Sequence, residues 1–468
     1  MKQLHIVLFP MMAHGHMIPI VDMAKLFTSR GLKTTIISTP AFADPIRRAQ
    51  ESGLNIGLSI LEFPPKKSEL PDHIVSLDQV SSDDLLPKFF NAVTLLQEPV
   101  EKLIQELNPD GLVSDMFLPW TVDSASKFSI PRFVFHGTSY FALCASEQMR
   151  RHKPFKNVSS DSEPFVLPNL PHELKFVRTQ VSPFEQEEKK NEFSKLIEQM
   201  TESVGRSYGV IVNSFYELES IYADYYTQVL GRKAWHIGPL LLSNNGAIEK
   251  AERGKKSAID EHECLAWLDR KRPNSVVYVC FGSMASFTSA QLRETAIGLE
   301  NSGQNFIWVV RKGKEESEDW LPEGFEERVK DKGLIIRGWA PQVMILNHEA
   351  IGAFVTHCGW NSTLEGVCAG VPMVTWPVFA EQFFNEKLVT EVLRIGVSVG
   401  NKKWQRVASE GVSGEAVAKA VKRVMVGEAS LEMRSRARDY KEMARKAIQE
   451  GGSSYNSLND LIEELSVY

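Results

Sequence analysis

Residues 339–382 constrain the fold of this 468-residue chain more than any other part of it. Two continuously apolar segments, residues 351–358 and the later VPMVTWP, predict short buried strands, and residues 361–369 between them predict a helix. Gly359 precedes this helix at a junction that needs a turn and an N-cap. A strand, a helix and a second strand in this order are typical of a parallel sheet in an α/β protein.

Groups that suit phosphate and hydroxyl ligands cluster around this helix. A helix that starts just past the carboxyl end of a parallel strand points its free N–H groups and positive dipole end into the crevice. His357, Asn361 and Ser362 add side-chain donors at the same place. Trp339 lies upstream and offers an indole face on which a planar base can stack. The downstream residues that suit hydroxyl groups are Glu365, Glu381 and Gln382. Together these groups predict a site for a nucleotide sugar.

The same segment resembles the signature box of plant family 1 UDP-glycosyltransferases over its whole length. The resemblance covers the opening WAPQ, the central HCGWNSTLEG, and the closing acid followed by Gln. Glu381 departs from the commonest pattern, which has Asp there, but its longer side chain can still accept hydrogen bonds from sugar hydroxyls. The resemblance implies an α/β chain with the glycosyltransferase B fold. In that fold two Rossmann-like, doubly wound domains face a deep cleft, and the C-terminal domain holds most of the nucleotide sugar.

Two series of alternating strands and helices support this organisation. Residues 4–9 predict a strand, residues 17–30 a helix and residues 32–38 a second strand, which together make a βαβ unit. Residues 275–281 predict a buried strand that starts the second series, after a stretch rich in Gly, Asn, Ser and charge. With the resemblance, we expect an N-terminal acceptor-binding domain at 1–242, a linker at 243–257 and a C-terminal UDP-sugar-binding domain at 258–468. The last helix, about 453–465, is expected to pack back on the N-terminal domain.

Two further segments of the first domain give weaker signals. Residues 85–107 predict one long helical stretch. Residues 151–183 are rich in proline and polar residues, and predict a loop with little regular structure.

His16 directly follows the first predicted strand and is the most informative N-terminal residue. It lies at the mouth of the predicted cleft near a helix N-terminus, which disfavours the imidazolium and so favours a neutral base. Sugar transfer to a hydroxyl group needs such a base, because an unionised alcohol or phenol is a poor nucleophile. The alternative is that His16 only caps or packs, but its GHxxP pattern also resembles the family's catalytic loop.

Asp115 follows the predicted strand at 111–114, at a carboxyl edge of the first sheet. Its carboxylate can hydrogen-bond the second ring nitrogen of His16, fix the tautomer and stabilise the cation that forms as the proton moves. Asp115 matches the family's VxD element, so the resemblance implies a His16–Asp115 dyad. Alternatively Asp115 is an N-cap for a helix near residues 119–128. Asp123, inside that helix, is the weaker candidate for the dyad.

The resemblance implies that the following residues bind the UDP-sugar: Ser283, Trp339, Ala340, Gln342, His357, Trp360, Asn361, Ser362, Glu365, Glu381, Gln382 and, from the other domain, Thr138. In this assignment Trp339 stacks on uracil, while Gln342 and Glu365 bind the ribose. The diphosphate is held by His357, Asn361, Ser362 and Ser283. The sugar hydroxyls are bound by Glu381, Gln382 and chiefly the backbone of Trp360, whose indole is alternatively a core residue. A final Gln goes with glucose in this family, so UDP-glucose is the expected co-substrate.

The resemblance also implies a small lipophilic acceptor: a phenolic, flavonoid, terpenoid or steroid. Six aromatic residues are expected to border its pocket, or else to be ordinary core residues: Phe89, Phe90, Phe117, Tyr140, Phe141 and Phe184. The deprotonated acceptor oxygen would attack the face opposite to UDP, so a single displacement would give a β-glucoside. No DxD-type carboxylate pair is placed to hold a metal, and His14 lacks further His or Cys residues to complete a zinc site. We therefore expect no metal and no permanently bound cofactor.

Composition limits the class of protein, its partners and its cellular compartment. A formal charge of −6, with 43% hydrophobic and 24% charged residues, is ordinary for a globular enzyme and gives no reason to expect nucleic acid or an anionic membrane as partner. The five cysteines are scattered, which favours reduced thiols in the cytoplasm over a disulfide framework. No apolar run reaches about 18 residues, and polar residues interrupt the apolar N-terminus, so we expect neither a membrane span nor a signal peptide. The expected enzyme is a cytoplasmic monomer.

Other classes of function remain open at this stage. An epimerase or hydrolase that uses a UDP-sugar would not need an apolar acceptor cavity. A nicotinamide dehydrogenase is disfavoured, because HGHMIP lacks the GxGxxG fingerprint. A non-catalytic nucleotide-sugar sensor has no use for a general base, so the presence of both His16 and Asp115 disfavours it.

Overall fold

Two parallel β-sheets organise the chain, one in each half. The computed structural model describes residues 2–186, 192–243, 253–311, 320–409 and 411–468. Within these residues the first sheet has seven strands and the second has six. Strands and helices alternate through both halves, which confirms the predicted α/β class with two doubly wound sheets.

The first sheet comes from the N-terminal half. The strands of this half are β1 (His5–Phe9), β2 (Lys33–Ser38), β3 (Ile56–Ile60), β4 (Gly111–Asp115), β5 (Arg132–Phe135), β6 (Phe165–Leu167), β7 (Leu174–Phe176), β8 (Gly209–Val212) and β9 (Ala234–His236). The sheet runs in the order β3-β2-β1-β4-β5-β8-β9, and each neighbouring pair is parallel. The order reverses between β1 and β4, and the loops after two such strands form a ligand-binding crevice. This crevice is where His16 and Asp115 lie.

The second sheet repeats the arrangement. The strands of the C-terminal half are β10 (Val276–Cys280), β11 (Ser286–Phe287), β12 (Asn305–Val310), β13 (Gly333–Arg337), β14 (Ile351–Thr356), β15 (Met373–Thr375), β16 (Gly396–Ser398) and β17 (Val407–Ala408). The sheet order is β13-β12-β10-β14-β15-β16, with parallel pairing throughout, while β11 and β17 form a small separate pair. Here the order reverses between β10 and β14. The loops after these two strands carry Ser283 and the HCGWNSTLEG segment.

Helices connect the strands. They are α1 (His14–Ser29), α2 (Asp44–Glu51), α3 (Leu85–Thr94), α4 (Gln97–Leu107), α5 (Thr121–Lys127), α6 (Tyr140–His152), α7 (Pro183–Gln186), α8 (Glu192–Arg206), α9 (Tyr216–Asp224), α10 (Glu261–Asp269), α11 (Ser289–Ser302), α12 (Phe325–Val329), α13 (Gln342–Leu346), α14 (Trp360–Ala369), α15 (Gln382–Lys387), α16 (Gly414–Met425), α17 (Glu428–Ala447) and α18 (Ser453–Val467). Several start at a residue whose side-chain oxygen accepts a free backbone N–H group of the first turn, namely Ser139, Asp260, Thr288 and Ser413. Local sequence therefore sets these boundaries.

The predicted helical stretch at 85–107 was wrong only in its continuity, because the structure divides it into α3 and α4. Pro99 has no backbone N–H to donate to the carbonyl of Leu95, and its ring clashes with a carbonyl four residues earlier. The Thr94 hydroxyl also donates to the Phe90 carbonyl at 3.0 Å, a contact that bends helices. The helix therefore breaks before α4 begins.

The predicted irregular loop at 151–183 was also wrong in part. Within it β6 and β7 form an antiparallel hairpin, in which Phe165 pairs with Phe176 and Leu167 with Leu174. These four side chains are buried, whereas Val166 between them is exposed. The alternation of buried and exposed residues is the signal of a half-buried strand, but three residues a strand is too short for it to be distinct.

The last helix, α18, packs against the first half of the chain. Its apolar side chains Leu458, Leu461 and Leu465 join the core cluster that contains β1. At its polar edge Lys233 Nζ lies 2.6 Å from Glu464 Oε2. The chain therefore returns across both halves before it ends.

The predicted linker at 243–257 lies mostly outside the described residues, because 244–252 are not among them. Its last residues, 253–257, are described and lead into α10. The domain boundaries thus stay a prediction.

Two general properties of the chain can be stated from the part that the structure describes. Within it, no helix combines the length and the apolar character needed to cross a bilayer. The five cysteines are free thiols, and all except Cys280 are buried.

Candidate active site

His16 lies in the first turn of α1, just after β1, and its imidazole is about 19% exposed. Its Nδ1 atom is 2.6 Å from Oδ2 of Asp115. A carboxylate at this distance accepts the Nδ1–H hydrogen bond, which leaves Nε2 as the proton acceptor. The pair therefore has the geometry of an oriented general base.

Asp115 ends β4 and is fully buried. Its Oδ1 atom accepts the backbone N–H of Phe117 at 3.0 Å, so both carboxylate oxygens are engaged. The alternative role as an N-cap does not hold, because Trp120 stands at the N-cap of α5. Asp123 forms an exposed ion pair with Arg206 instead of approaching His16.

Three carboxylates set the basicity of His16. Burial lowers its pKa, but the adjacent Asp115, followed by Asp78 and Glu381, raises the pKa above its ordinary value. Sequence analysis considered only the helix N-terminus, which disfavours the imidazolium, whereas the structure adds three carboxylates that favour it. The result is a stronger base.

A second His–carboxylate pair, missed at the level of sequence, lies beside the first. His14 Nδ1 is 2.5 Å from Oδ2 of Asp78, and Oδ1 of Asp78 accepts a hydrogen bond from the Ser283 hydroxyl at 3.1 Å. Burial raises the pKa of Asp78, but hydrogen bonds from His14 and Ser76 outweigh it and lower the pKa to about 2. His14 is thus engaged by a carboxylate. Across the described residues no group of three or more His, Cys, Asp or Glu side chains is arranged to hold a metal ion.

Helix α14 begins at Trp360, with Gly359 at its N-cap and no side-chain cap. Asn361 donates from Nδ2 to the carbonyl of Gly15 at 2.7 Å, so it joins the two halves of the chain. Pro19 explains why this carbonyl is available, because proline has no N–H to bond the carbonyl four residues before it in α1. The proline of GHxxP and the asparagine of HCGWNSTLEG therefore cooperate in one contact.

His357 is half-buried beside Gly282, and desolvation of its ring lowers its pKa to about 4. It is therefore a neutral imidazole. Its Nδ1 atom has no hydrogen-bond partner among the described residues, and neither does the buried hydroxyl of Thr138. Buried polar atoms without partners are rare in folded proteins, and they are expected where a ligand binds.

The residues assigned to ribose form one hydrogen-bonded cluster. Gln342 Nε2 donates to Oε2 of Glu365 at 2.5 Å and to the Ser362 hydroxyl at 3.1 Å. The Tyr278 hydroxyl donates to Oε1 of Gln342 at 3.3 Å, which fixes the amide orientation. Ala340 is buried just before this cluster.

The residues assigned to the sugar lie at the start of α15. Oε1 of Gln382 accepts the backbone N–H groups of Val378 and Phe379 at 2.8 and 3.0 Å, so only its NH₂ group remains as a donor. Burial raises the pKa of Glu381, although hydrogen bonds and the charge of His16 partly offset the effect. Asn385 donates from Nδ2 to Oε1 of Glu381 at 3.3 Å.

The indole of Trp360 is buried, and its Nε1–H donates to the carbonyl of Asn213 at 2.8 Å. The core alternative therefore holds for this side chain. The structure places it at the contact between the two halves.

One of the six predicted acceptor aromatics, Phe117, lies next to His16, and a second, Phe90, lies behind it. The Phe117 ring is 5.5 Å from the imidazole, and the Phe90 ring is 5.7 Å from Phe117. These rings form an apolar wall beside the candidate base.

The other four aromatics lie elsewhere. Phe89, Tyr140 and Phe141 are fully buried, and their rings pack against other aromatic core side chains. The core alternative holds for these three, because a ring without accessible surface cannot face an acceptor. Phe184 lies 6.0 Å from the ring of Trp404, which sequence analysis did not single out.

Trp339 lies on the same cleft as the histidine loop. Its indole is 6.0 Å from the ring of His14, two residues before His16. The candidate general base, His16, and the indole expected to stack on the nucleobase, Trp339, therefore share one site.

Comparison with known proteins gives consistent relatives. Residues 254–433 match the family model described as UDP-glucoronosyl and UDP-glucosyl transferase. The chain is 63% identical over 472 residues to scopoletin glucosyltransferase of Nicotiana tabacum, covering 100% of this chain and 99% of that protein. It is 54% identical over 479 residues to anthocyanin 3'-O-beta-glucosyltransferase of Gentiana triflora, covering 100% and 99%.

Solved structures show the same fold over the whole chain. UGT73P12 of Glycyrrhiza uralensis, complexed with glycyrrhetinic acid 3-O-monoglucuronide, has a TM-score of 0.92 and 42% identity, with 100% of this chain and 96% of that chain covered. UGT71G1 of Medicago truncatula, complexed with UDP-glucose, has a TM-score of 0.81 and 28% identity, with 99% and 98% covered. These similarities confirm the predicted glycosyltransferase B architecture.

Proposed function

Because the chain belongs to the plant family 1 UDP-glycosyltransferases, we propose that it transfers glucose from UDP-glucose to a hydroxyl group of a small lipophilic acceptor. The product is a β-glucoside, formed with inversion in a single displacement. The observation that carries this proposal is the 2.6 Å contact between His16 and Asp115 in the cleft that also contains the signature box.

The acceptor is a phenolic or related flat molecule. This assignment is supported by relatives whose names include scopoletin, anthocyanin and flavonoid as acceptors. The apolar wall of Phe90 and Phe117 beside His16 suits such a ring. A terpenoid is the second class to test, because UGT73P12 is complexed with a glycyrrhetinic acid glucuronide.

In the reaction, Nε2 of His16 takes the proton of the acceptor hydroxyl while Asp115 stabilises the imidazolium that forms. The acceptor oxygen attacks the anomeric carbon as the bond to UDP breaks. Charge then grows on the diphosphate, where the N-terminus of α14 and the neutral His357 can donate hydrogen bonds. This stabilisation needs only protein groups, so the proposed reaction is independent of metal.

The donor roles inferred from the signature box also form part of the proposal. The indole of Trp339 stacks on uracil, and Glu365 with Gln342 binds the ribose. Glu381 and Gln382 bind the glucose hydroxyls. The partnerless Thr138 hydroxyl and His357 Nδ1 support ligand binding at this place.

The remaining expectations complete the proposal. Residues 1–242 bind the acceptor, 243–257 connect the halves and 258–468 bind the donor. The enzyme works as a monomer in the cytoplasm and holds no permanent cofactor. Its partners are the donor and acceptor, with no nucleic acid and no stable membrane insertion.

A single assay tests the proposal. The protein is incubated with UDP-glucose and a mixed panel of phenols and triterpenoids, and mass spectrometry follows acceptors that gain one hexose. The expected result is a β-glucoside of at least one phenol, at a rate that a chelator leaves unchanged. Hydrolysis or epimerisation of UDP-glucose without transfer would favour the alternative enzyme class, and binding without turnover would favour a sensor. A large loss of rate with chelator would contradict the metal-free mechanism.

A further inference from the structure

Arg253 lies inside the candidate donor site, although sequence analysis placed it in a linker. Its Nη2 and Nε atoms are 2.5 and 3.2 Å from Oδ2 of Asp22, and its Nη1 atom donates to Oε1 of Glu365. Asp22 belongs to α1 in the first half, whereas Glu365 belongs to α14 in the second. One guanidinium group therefore bridges the two halves through a residue assigned to ribose.

The bridge contains three charged groups that are largely removed from water. The side chains of Arg253, Asp22 and Glu365 are all largely buried, so each carboxylate needs a cation to offset the cost of its desolvation. The planar guanidinium can serve both carboxylates at once. Burial lowers the pKa of Arg253, but Asp22 and Glu365 outweigh it and raise the pKa above its ordinary value. The arginine is thus a permanent cation.

The orientation of Glu365 is determined from both sides. Arg253 donates to Oε1 and Gln342 donates to Oε2, so the carboxylate cannot rotate freely. An ionised carboxylate has about four lone-pair sites, so about two remain for other donors. A vicinal diol such as the 2′- and 3′-hydroxyls of ribose supplies two.

The segment that carries Arg253 is held against the indole of Trp339. Gly254 has a φ of +94°, and a Cβ atom there would lie 2.5 Å from Cζ2 of Trp339. Its carbonyl accepts a hydrogen bond from Arg48 at 3.1 Å, and the N–H of Ala258 donates to the Trp339 carbonyl at 2.7 Å. Glycine is required at this close approach. The backbone therefore fixes where the guanidinium can reach.

We propose that Arg253 is a positioning residue for the donor ribose: it holds Glu365 in the orientation in which this carboxylate binds the ribose hydroxyls. Because its other contact is Asp22, the arrangement is complete only when both halves of the molecule are in place. This inference rests on the proposed function, since it takes the ligand to be a uridine nucleotide. It adds a donor-site residue from outside the signature box.

The test separates an effect on ribose from an effect on the fold. Calorimetry measures the Kd of UDP and of 2′,3′-dideoxyuridine 5′-diphosphate for the wild-type protein, Arg253→Ala and Arg253→Lys. Steady-state kinetics give kcat and the KM for UDP-glucose. For Arg253→Ala we expect the Kd of UDP and the KM to rise about tenfold, since a hydrogen bond to a charged group is lost. Since this is a binding effect, kcat should change less than about twofold.

Two readouts are specific to positioning. The Kd of the dideoxy analogue should be the same for the wild-type protein and Arg253→Ala, and Arg253→Lys should restore part of the UDP affinity. In a Glu365→Gln background, Arg253→Ala should have little further effect on UDP affinity, because the two residues act together. Arg253→Lys keeps the test valid if Arg253→Ala folds poorly, because it retains the positive charge. Lys256→Ala is the matched control, since it removes one exposed positive charge three residues away and should change neither constant.

Several outcomes would overturn the inference. Tighter UDP binding by Arg253→Ala would mean that the Arg253 side chain obstructs the site. Unchanged UDP binding would mean that it does not contribute to the site. An equal loss for the dideoxy analogue would place the effect on the phosphates or on the fold. The two proposals fail separately: UDP binding with the expected Arg253 pattern but no sugar transfer rejects the proposed function alone. Transfer without that pattern rejects the role of Arg253 alone, and a wild-type protein that binds no UDP rejects both.

Discussion

His16 shows how neighbouring charges set the behaviour of one imidazole. Burial would lower its pKa, whereas Asp115 in direct contact and the more distant Asp78 and Glu381 raise it. The net rise makes Nε2 a stronger base but requires a higher pH to free it of its proton. A higher pKa therefore makes His16 a stronger base but lowers the fraction of it that is deprotonated at a given pH.

Replacing His16 with Ala should reduce kcat about 100-fold to 10,000-fold, the range for loss of a general base. The Kd of UDP should change less than about twofold, because the imidazole is assigned to the acceptor and not to the nucleotide. Product formation by mass spectrometry and calorimetry with UDP measure the two quantities. His73→Ala, at an exposed histidine, is the control and should leave both unchanged. Loss of UDP binding in His16→Ala would contradict the role assigned here.

Asp115→Asn should move the pH dependence of the reaction to lower pH. The base acts when deprotonated, so kcat/KM rises as pH passes through the pKa of His16. Removing the negative charge that contributes most to raising this pKa lowers it, and the rise occurs earlier. The plateau should fall as well, since Asn cannot stabilise the imidazolium. The measurement is kcat/KM from about pH 5 to about pH 9 with an acceptor whose hydroxyl stays protonated throughout. A shift to higher pH would contradict the assignment.

At the scale of elements, the loops after the central strands bring the two halves together. Pro19 frees the Gly15 carbonyl in α1, and Asn361 at the start of α14 donates to it. On the second sheet, the turn after β10 places Gly282 directly against the ring of His357. The chemistry of the site thus depends on close backbone approach at a few turns.

Gly282→Ala should weaken donor binding through this close approach. Gly282 has a φ of +70°, and a Cβ atom would lie 2.6 Å from Cε1 of His357. Gly303, also with a φ of +70°, has no atom within 4 Å of its added Cβ and is the matched control. Both alanine variants should lose about 1 kcal/mol of stability to the left-handed backbone conformation. Only Gly282→Ala should raise the KM for UDP-glucose, by about tenfold if one charge-assisted contact is lost. Thermal unfolding and kinetics measure the two effects, and equal KM values would refute the argument.

At the scale of the whole molecule, the halves are tied by contacts between residues far apart in the chain. The last helix, α18, inserts three leucines into the core of the first half. Trp360 donates to Asn213, and Ser283 donates to Asp78, across the same boundary. The cleft is therefore part of one folded unit, and several independent contacts fix the position of one wall relative to the other.

Leu465→Ala should destabilise the protein by about 2–3 kcal/mol, the cost of a cavity at a buried leucine. Leu465 is only 5% exposed. It packs against Gly111 of β4, since a Cβ atom added to this glycine would lie 3.0 Å from Cδ2 of Leu465. Val467→Ala on the same helix is the control, because Val467 is 78% exposed and should change stability by less than about 0.5 kcal/mol. Urea unfolding compares the two variants. Similar midpoints would show that α18 does not contribute to the core as described.

The sequence by itself determined the features that depend on short stretches of chain. Alternating apolar segments and helix signals predicted both sheets, since burial on two faces produces continuous apolar strands. The donor residues could be named because most of them lie within one contiguous box around a single strand–helix junction. His16 and Asp115 could be named because each directly follows a strand and because the GHxxP and VxD patterns resemble the family's elements. Prediction was incomplete where the break before Pro99 had to be placed, and it failed at the three-residue strands β6 and β7, whose local signals are weak.

Only the tertiary structure decided which distant groups meet. The contacts from Asp78 to Ser283 and from Arg253 to Asp22 join residues 205 and 231 positions apart. A local pattern reports that a side chain is buried, but it contains no information about the partner that compensates its charge. The same limit explains why sequence analysis did not identify Asp78 and Glu381 as groups that raise the pKa of His16, since both come from other loops. Pairing of buried charges follows from how the two halves close, and that closure is a property of the whole fold.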